Sequence, residues 1–328
     1  MADVARMAAV SVITVSRVLR EPEHVADATR ARVLDAVKAV GYTPNLVARS
    51  LKSRRSGIVA AVLASVTHSI VAEVTRGMSG VLKEHGLHLL LGDSGFSPQE
   101  EEELVAAFLA RRCDAIYLTG TTHTRHTRTM LEAARIPVVE AGGLADHPID
   151  MTVGYSNRDA ARAITQALID RGRRRIAYVG PTDRDVVDRV RDRHAGYCDA
   201  LAANGLPVAA SAQVEVELSF RGGAAGLAAL VERRGGLDAV FCTSDVIAVG
   251  VLFECQRRGI AVPGTLAITG MDDQEIVSQC VPAISTVRMP RFEMGRRAAQ
   301  MLCDRLAGRD PGSLAVDLGF SLVLRETT

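Results

Sequence analysis

The residues best suited to chemistry lie in a short run near the start of the chain and in a scatter of polar side chains that follow apolar runs further on. In Ser11-Val12-Ile13-Thr14-Val15-Ser16-Arg17-Val18-Leu19, Ile13 and Arg17 stand one helical turn apart and share a face. An arginine displayed on an exposed helix can fork onto the O6 and N7 of guanine, so this run has a DNA-reading pattern. Further on, Thr119, Thr121, Glu140, Ser244, Asp245, Asp272 and Asp273 stand at the ends of apolar runs. Hydroxyls and carboxylates of this kind suit a polyhydroxylated ligand, and Arg193 is available to fork onto a carboxylate.

Enzymatic readings find less support. Gly92-Asp93-Ser94-Gly95 looks like a protease nucleophile segment, but it ends a predicted strand, lacks the following glycine and has no disulfide framework around it. His123-Thr124-Arg125-His126 has a spacing that could hold a metal, yet no carboxylate or further histidine completes a site, and it reads as a polar loop. Gly222-Gly223-Ala224-Ala225-Gly226 lies in a helical stretch instead of after a strand, which fails the context of a dinucleotide fingerprint. The six cysteines, at 113, 198, 242, 255, 280 and 303, are scattered and form no metal or redox pair. No catalytic residue, cofactor or metal is expected.

The elements that must position these residues are visible as patterns. Ala5 and Ala8 permit close helix approach, Val10, Val15 and Leu19 supply an inward face, and Ser11 is a fit N-cap for Thr14. Two short helices around a turn at Ala9-Val10 make a helix-turn-helix. A third helix is expected from about Thr29 to Val40, capped by Asp27 and stopped by Gly41 and Pro44. A marginal short helix and a basic linker follow, to Ser56. From Gly57 onward, apolar runs at 58–64, 88–93, 115–119, 137–140, 175–180, 214–216, 239–242 and 266–270 alternate with helical patterns. Ser97-Pro98-Gln99-Glu100 marks one helix start as a capping box. Buried strands alternating with helices predict parallel sheets covered on both faces, and their number predicts two doubly wound lobes sharing a cleft at the carboxyl ends of the strands.

Composition sets bounds on this reading. With 48% hydrophobic and 23% charged residues the chain has the makeup of an ordinary soluble protein. No apolar run approaches the roughly 20 residues needed to cross a bilayer, and no signal pattern opens the sequence, so a cytoplasmic protein with no membrane partner is expected. Residues 1–56 hold ten Lys/Arg against five Asp/Glu, a net +5, which leaves −4 for the rest of a chain whose total is +1. A basic head on a mildly acidic body suits a nucleic-acid module attached to something else.

Taken together, the parts resemble the lactose-repressor (LacI) family of bacterial transcription regulators over essentially the whole length. The resemblance is carried by Asp3-Val4-Ala5, Val10-Ser11 with Thr14 to Leu19, and Gly41-Tyr42-Thr43-Pro44-Asn45 with Ala48 and Leu51. Later landmarks are Asn157 with Ala160-Ala161, Arg171-Gly172 ahead of Ile176-Ala177-Tyr178-Val179-Gly180, and Gly270-Met271-Asp272-Asp273. Within the family the body is most similar to gluconate-utilisation repressors, through Thr121-Thr122-His123-Thr124, Pro137-Val138-Val139-Glu140, Phe241-Cys242-Thr243-Ser244-Asp245, Phe253-Glu254-Cys255-Gln256-Arg257 and Asp317-Leu318-Gly319-Phe320.

That resemblance implies a small all-α helix-turn-helix headpiece at 1–44, a hinge helix and linker at 45–56, and a periplasmic-binding-protein-like α/β core at 57–328 for effector binding and dimerisation. The N-lobe would take about 57–157 plus 288–313, and the C-lobe about 158–287 plus 314–328. Val12, Ile13 and Arg17 would face base edges of double-stranded operator DNA, while Ser11, Ser16, His24, Tyr42 and Asn45 position phosphates. Ala48 and Leu51 would sit at the minor-groove hinge, Leu51 wedging into a base step. His68, Thr121, Glu140, Arg193, Phe220, Ser244 and Asp272 are the implied effector contacts, the effector being a sugar acid such as gluconate. No leucine heptads follow the core, so a homodimer is expected. The rivals are the same family with a sugar or purine effector or corepressor logic, and a sugar-binding protein without DNA function. Three positions depart from the family pattern: Ala9 stands where relatives have glycine, Ala26 where they have serine, and no threonine cap precedes the first helix.

Overall fold

The hydroxyl of Ser11 starts a helix by accepting the Thr14 amide at 3.1 Å. It separates α1 (Ala2–Met7) from α2 (Val12–Arg20), and α3 (Asp27–Val40) follows. The structure is a computed structural model and describes residues 1–42, 55–66, 69–182, 187–233 and 236–328. Asn45, Ala48 and Leu51 of the expected hinge, and His68 of the expected effector set, lie outside the described residues. The chain divides into two compact units, Met1–Ser56 and Gly57–Thr328.

In the first unit, Val4, Ala5, Ala8, Val15, Val18, Val33 and Ala36 are buried together, with Val10, Leu19 and Tyr42 packed at the edge. So few small side chains make a thin core, which leaves its turns to matter. Ala9 takes a φ of +50°, a left-handed conformation that costs an alanine about 1 kcal/mol relative to glycine. Gly41 ends α3 at a φ of +64°, as its position predicts. The start of α3 differs from expectation. Ala26 is the N-cap and offers no side-chain acceptor, and Asp27 is the first helical residue, its carboxylate 2.6 Å from Arg30. There the carboxylate meets the positive end of the helix dipole instead of capping an amide.

The second unit contains β1 (Ile58–Leu63), β2 (His88–Asp93), β3 (Ala115–Thr119), β4 (Val138–Ala141), β5 (Met151–Gly154), β6 (Ile176–Pro181), β7 (Gln213–Val216), β8 (Ala239–Cys242), β9 (Ala267–Thr269), β10 (Thr286–Arg288), β11 (Ala315–Asp317) and β12 (Ser321–Val323). Its helices are α4 (Ser69–Glu84), α5 (Pro98–Ala110), α6 (Arg125–Ala134), α7 (Asn157–Asp170), α8 (Asp188–Ala203), α9 (Phe220–Glu232), α10 (Asp245–Arg258), α11 (Glu275–Gln279) and α12 (Arg291–Leu306). Two parallel sheets result, in the orders β11-β5-β4-β3-β1-β2 and β7-β6-β8-β9, with β10 and β12 paired antiparallel beside them. Each sheet is covered by apolar side chains on both faces, as its continuous hydrophobic strands require. Among the described residues no helix is long and apolar enough to cross a membrane.

The chain passes between the lobes after β5, after β10 and after β11. The last passage comes later than expected. Ala315 and Val316 pair with Thr152 and Val153 at the edge of the first sheet, and the Leu318 amide reaches the Gly154 carbonyl at 2.8 Å. The first lobe therefore takes in residues 315–318, because the parallel edge of β5 is completed there, and 314–328 does not belong to the second lobe as a block.

Helix pairs in both lobes are joined through glycine. A Cβ on Gly77 of α4 would overlap the carbonyl oxygen of Phe292 in α12, and one on Gly295 would overlap that of Val74. In the second lobe Gly223 of α9 abuts the Ile247 carbonyl and Gly250 of α10 that of Phe220. The glycine cluster at 222–226 is thus a packing surface: Gly223 meets α10, Gly226 meets Val179 and Val216 of the sheet, and Gly222 meets the Glu217 backbone. Gly295→Ala should lower the stability of the second unit by about 1–3 kcal/mol in urea denaturation. Ala9→Gly should raise headpiece stability by about 1 kcal/mol, read as slower exchange of the hydrogen-bonded amides of Ala8 and Val15 in the full chain.

Candidate DNA-reading face and effector cleft

α2 sorts its residues by face. Val15 and Val18 are buried, whereas Val12 is 45% and Ile13 72% exposed. Arg17 is exposed one turn beyond Ile13, so the three expected base-reading residues share the open side of the helix. Ser11 is exposed at the helix start and Ser16 is half-buried. Tyr42 packs against the headpiece core, while His24 is exposed with its Nδ1 3.5 Å from Glu23 and 3.8 Å from Glu21. A phosphate approaching His24 meets those two carboxylates as well.

In the second unit a cavity of about 400 Å³ lies between the lobes, beyond the carboxyl ends of β1, β3, β6, β7 and β8. Its walls are Leu63, Ser65, Phe96, Tyr117 and Thr119 on one side, and Pro181, Arg189, Arg193, Val216, Thr243, Ser244 and Asp272 on the other, with Tyr155, Arg291 and Met294 at the junctions. This is where doubly wound sheets place ligands. Ser244 caps α10, its hydroxyl oxygen accepting the Ile247 amide, which leaves its proton free to donate.

Arg193 is buried, and its donors are largely occupied. Nε donates to Asn157 at 2.9 Å, Nη1 to the Thr243 carbonyl at 2.6 Å, and Nη2 lies 3.3 Å from both the Tyr155 hydroxyl and Asp272. Burial, which disfavours its charge, is outweighed by Asp272 and Tyr155, so its proton is held more tightly than usual. The fork expected for a ligand carboxylate is thus already filled by protein acceptors. Asp272 itself adopts a φ of +119°, a strained conformation pinned by its amide to the Val287 carbonyl at 2.9 Å. Behind it, burial and the Asp272 charge push the Asp245 carboxyl upward, toward its neutral form.

Comparison with known proteins identifies the pairing of these two parts. Residues 1–45 match the lacI family of bacterial regulatory proteins, and residues 165–328 match a periplasmic binding protein-like domain. The chain is 38% identical over 320 residues to the HTH-type transcriptional regulator GntR of Escherichia coli K12, covering 98% of this chain and 96% of that one. The protein belongs to the LacI family. It is also 33% identical over 322 residues to the regulator IdnR of the same organism, covering 98% of this chain and 96% of the relative. A crystal structure of a LacI-family transcriptional regulator from Silicibacter pomeroyi matches 99% of this chain and 98% of its own at a TM-score of 0.92 and 33% identity. The LacI-family chain is therefore a DNA-binding transcription regulator with an effector-binding body, and not an enzyme.

Within this LacI-family body the expected effector residues separate into two groups. Arg193, Ser244 and Asp272 line the cavity; Thr121, Glu140 and Phe220 do not. Thr121 is half-buried and donates its hydroxyl to Asp188 of α8 at 2.7 Å, a bond between the lobes. Burial, which would raise the Asp188 pKa, is outweighed by Thr121 and the Arg189 charge, so this carboxyl lies below its usual range. Phe220 begins α9 and is 46% exposed. Glu140 is fully buried, accepting the Ile149 amide through one oxygen and facing His123 Nε2 at 3.3 Å through the other. Asp273 is held by Arg288 and Arg325, each at 2.6 Å.

Sequence reasoning did not find Arg189, Tyr155, Thr243 and Arg291 as cavity residues. Arg189 lies over the Phe96 ring, 4.9 Å from its centroid. Arg291 is 4% exposed, and neither its Nε nor its Nη2 has a hydrogen-bond partner among the described residues. The Thr243 hydroxyl is equally unpartnered there. Arg291 follows a proline on a passage between lobes, so no strand-end pattern flags it; an arginine placed directly after Met289-Pro290 is the one available signal.

His123, expected in a polar loop, is instead buried between Glu101 at 2.7 Å and Glu140. Burial alone would lower its pKa, but the hydrogen bonds and charges of Glu101 and Glu140 push it up from 6.5 to about 9. A folded-state value above the unfolded one gives stability that is complete below pH 6.5 and lost as pH rises through about 9. Urea denaturation between about pH 6 and pH 10 should show a fall of roughly 3 kcal/mol that Glu101→Gln flattens.

Proposed function

We propose that this regulator is a repressor that acts in the cytoplasm as a homodimer on a two-fold-symmetric operator and is released by a sugar acid such as gluconate. Val12, Ile13 and Arg17 read base edges in the major groove, Val12 and Ile13 against thymine methyls and Arg17 against guanine. Ser11, Ser16, Tyr42 and Asn45 position phosphates, with His24 contributing less because Glu21 and Glu23 adjoin it. Ala48 and Leu51 belong to the minor-groove hinge, two copies of which pair across the dimer on operator DNA, where Leu51 wedges into a base step and kinks the duplex.

The observation that carries the effector reading is the cavity itself. Three guanidiniums, Arg189, Arg193 and Arg291, line it against two carboxylates, Asp272 and Glu217, beside Thr243 and Ser244. A cleft with excess positive charge and hydroxyl partners favours a polyol that carries an anion. Its volume of about 400 Å³ is at the small end for ligand pockets, which suits a monosaccharide derivative. The resemblance to gluconate-utilisation repressors points to the same ligand class. Release requires that the sugar acid bind the non-DNA-binding arrangement of the lobes more tightly than the other.

Thermal unfolding of the full chain against sugar acids, neutral sugars and purines tests this reading. Gluconate should raise Tm and weaken retention on duplexes selected from a randomised pool; failure of every sugar acid to raise Tm would remove the effector assignment and leave the family intact. Arg17→Ala should lower affinity for the selected duplex by about 10- to 100-fold, with a much smaller change on unrelated DNA.

A further inference from the structure

We propose that Arg291, not Arg193, is the anion-binding residue of the cleft, and that Thr243 faces it from the other lobe as a second ligand contact. This builds on the cleft being the effector site but stands apart from which anion fills it. The nitrogens of Arg291 that lack partners are Nε and Nη2. These two lie on one edge of the guanidinium, the edge that grips a carboxylate with two parallel hydrogen bonds. In Arg193 the same pair of nitrogens already serves Asn157, Tyr155 and Asp272. A buried guanidinium with an unfilled edge is costly to keep, and Asp272, 4.0 Å from Arg291 Nη2, is too far to fill it with a hydrogen bond.

Location adds to the chemistry. Arg291 begins α12, a helix of 16 residues, so the positive end of its dipole adjoins the same part of the cavity. α12 belongs to the core of the first lobe, whereas Thr243 follows β8 in the second. A ligand whose carboxylate takes the Arg291 edge while a neighbouring hydroxyl takes Thr243 Oγ1 spans the lobes. Arg291 Nε and Nη2 and Thr243 Oγ1 are all closed to water in this arrangement, so capture of a ligand by either residue requires the side chains or the lobes to shift. Arg193 is then a positioning residue, which holds Asp272, Tyr155 and the Thr243 backbone in place.

The test is calorimetric titration of the full-length protein with gluconate and with its uncharged amide, supported by thermal shifts with sulfate and sugar phosphates. Wild type should prefer the acid over the amide by about 100-fold. Arg291→Gln should bring that preference within about threefold, and Arg291→Lys should keep part of it, since one ammonium replaces the two-point grip. Arg193→Gln should weaken acid and amide alike and keep the ratio. Circular dichroism identifies a variant that fails to fold, in which case Arg291→Lys alone decides. An unchanged acid preference in folded Arg291→Gln overturns the assignment and leaves the sugar-acid reading standing. A sugar phosphate that binds in place of gluconate, and is lost in Arg291→Gln, supports the anion site and removes the sugar acid. Wild type that takes only neutral sugars, or none of these anions, overturns both.

Discussion

The body depends on one buried guanidinium. Arg193 comes from α8, yet its acceptors come from widely separated parts of the chain: Tyr155 and Asn157 at the first passage between the lobes, Asp272 after β9, and Thr243 after β8. Asn157 in turn donates to the Gly142 carbonyl of the first lobe at 2.8 Å. A charge in that position is tolerable only because nearly every N–H is met, and the meeting forces the strand ends into one arrangement. The strained backbone at Asp272 is held within the same network. The cleft therefore owes its shape to a satisfied arginine and its unsatisfied chemistry to another one nearby.

Buried charge recurs away from the cleft and follows the same logic. His123 lies between Glu101 and Glu140, which joins α5 to β4 beneath the loop after β3. Asp188 receives Thr121 from the opposite lobe. Neither set touches the cavity, but both anchor loops that end at its rim. The first lobe is thus braced by ion pairs under its strand ends, and the second by the Arg193 network.

Much of the architecture was legible in the residues. Ser11, Ser97 and Gly41 performed the capping that their types and positions predict, and the apolar runs became the strands of two parallel sheets. Some short pieces escaped, namely β5, β10, β11 and β12, of three or four residues each. Site residues were harder. Proximity to a strand end marked Thr119, Ser244 and Asp272, which line the cavity, but it also marked Thr121 and Glu140, which turn away from it to meet Asp188 and His123. Whether a side chain at a strand end faces ligand or neighbour depends on partners far along the chain, 67 residues away for Thr121 and Asp188. Arg291 was hidden for another reason, since the strand it follows, β10, was itself not visible in the sequence.

The glycine joint between α4 and α12 has a mechanical meaning. At Gly77 and Gly295 the two helices meet backbone to backbone, with no side-chain layer that could deform between them. A load applied at the first residue of α12 therefore reaches α4 through backbone contacts. Of the residues in that joint Val74 also lines the cavity, but it meets Gly295 through its backbone carbonyl, which any residue at that position supplies. Side chains on the cavity wall can therefore be exchanged without loosening the joint, so the choice of ligand can drift through evolution while the stiffness that reports it stays the same.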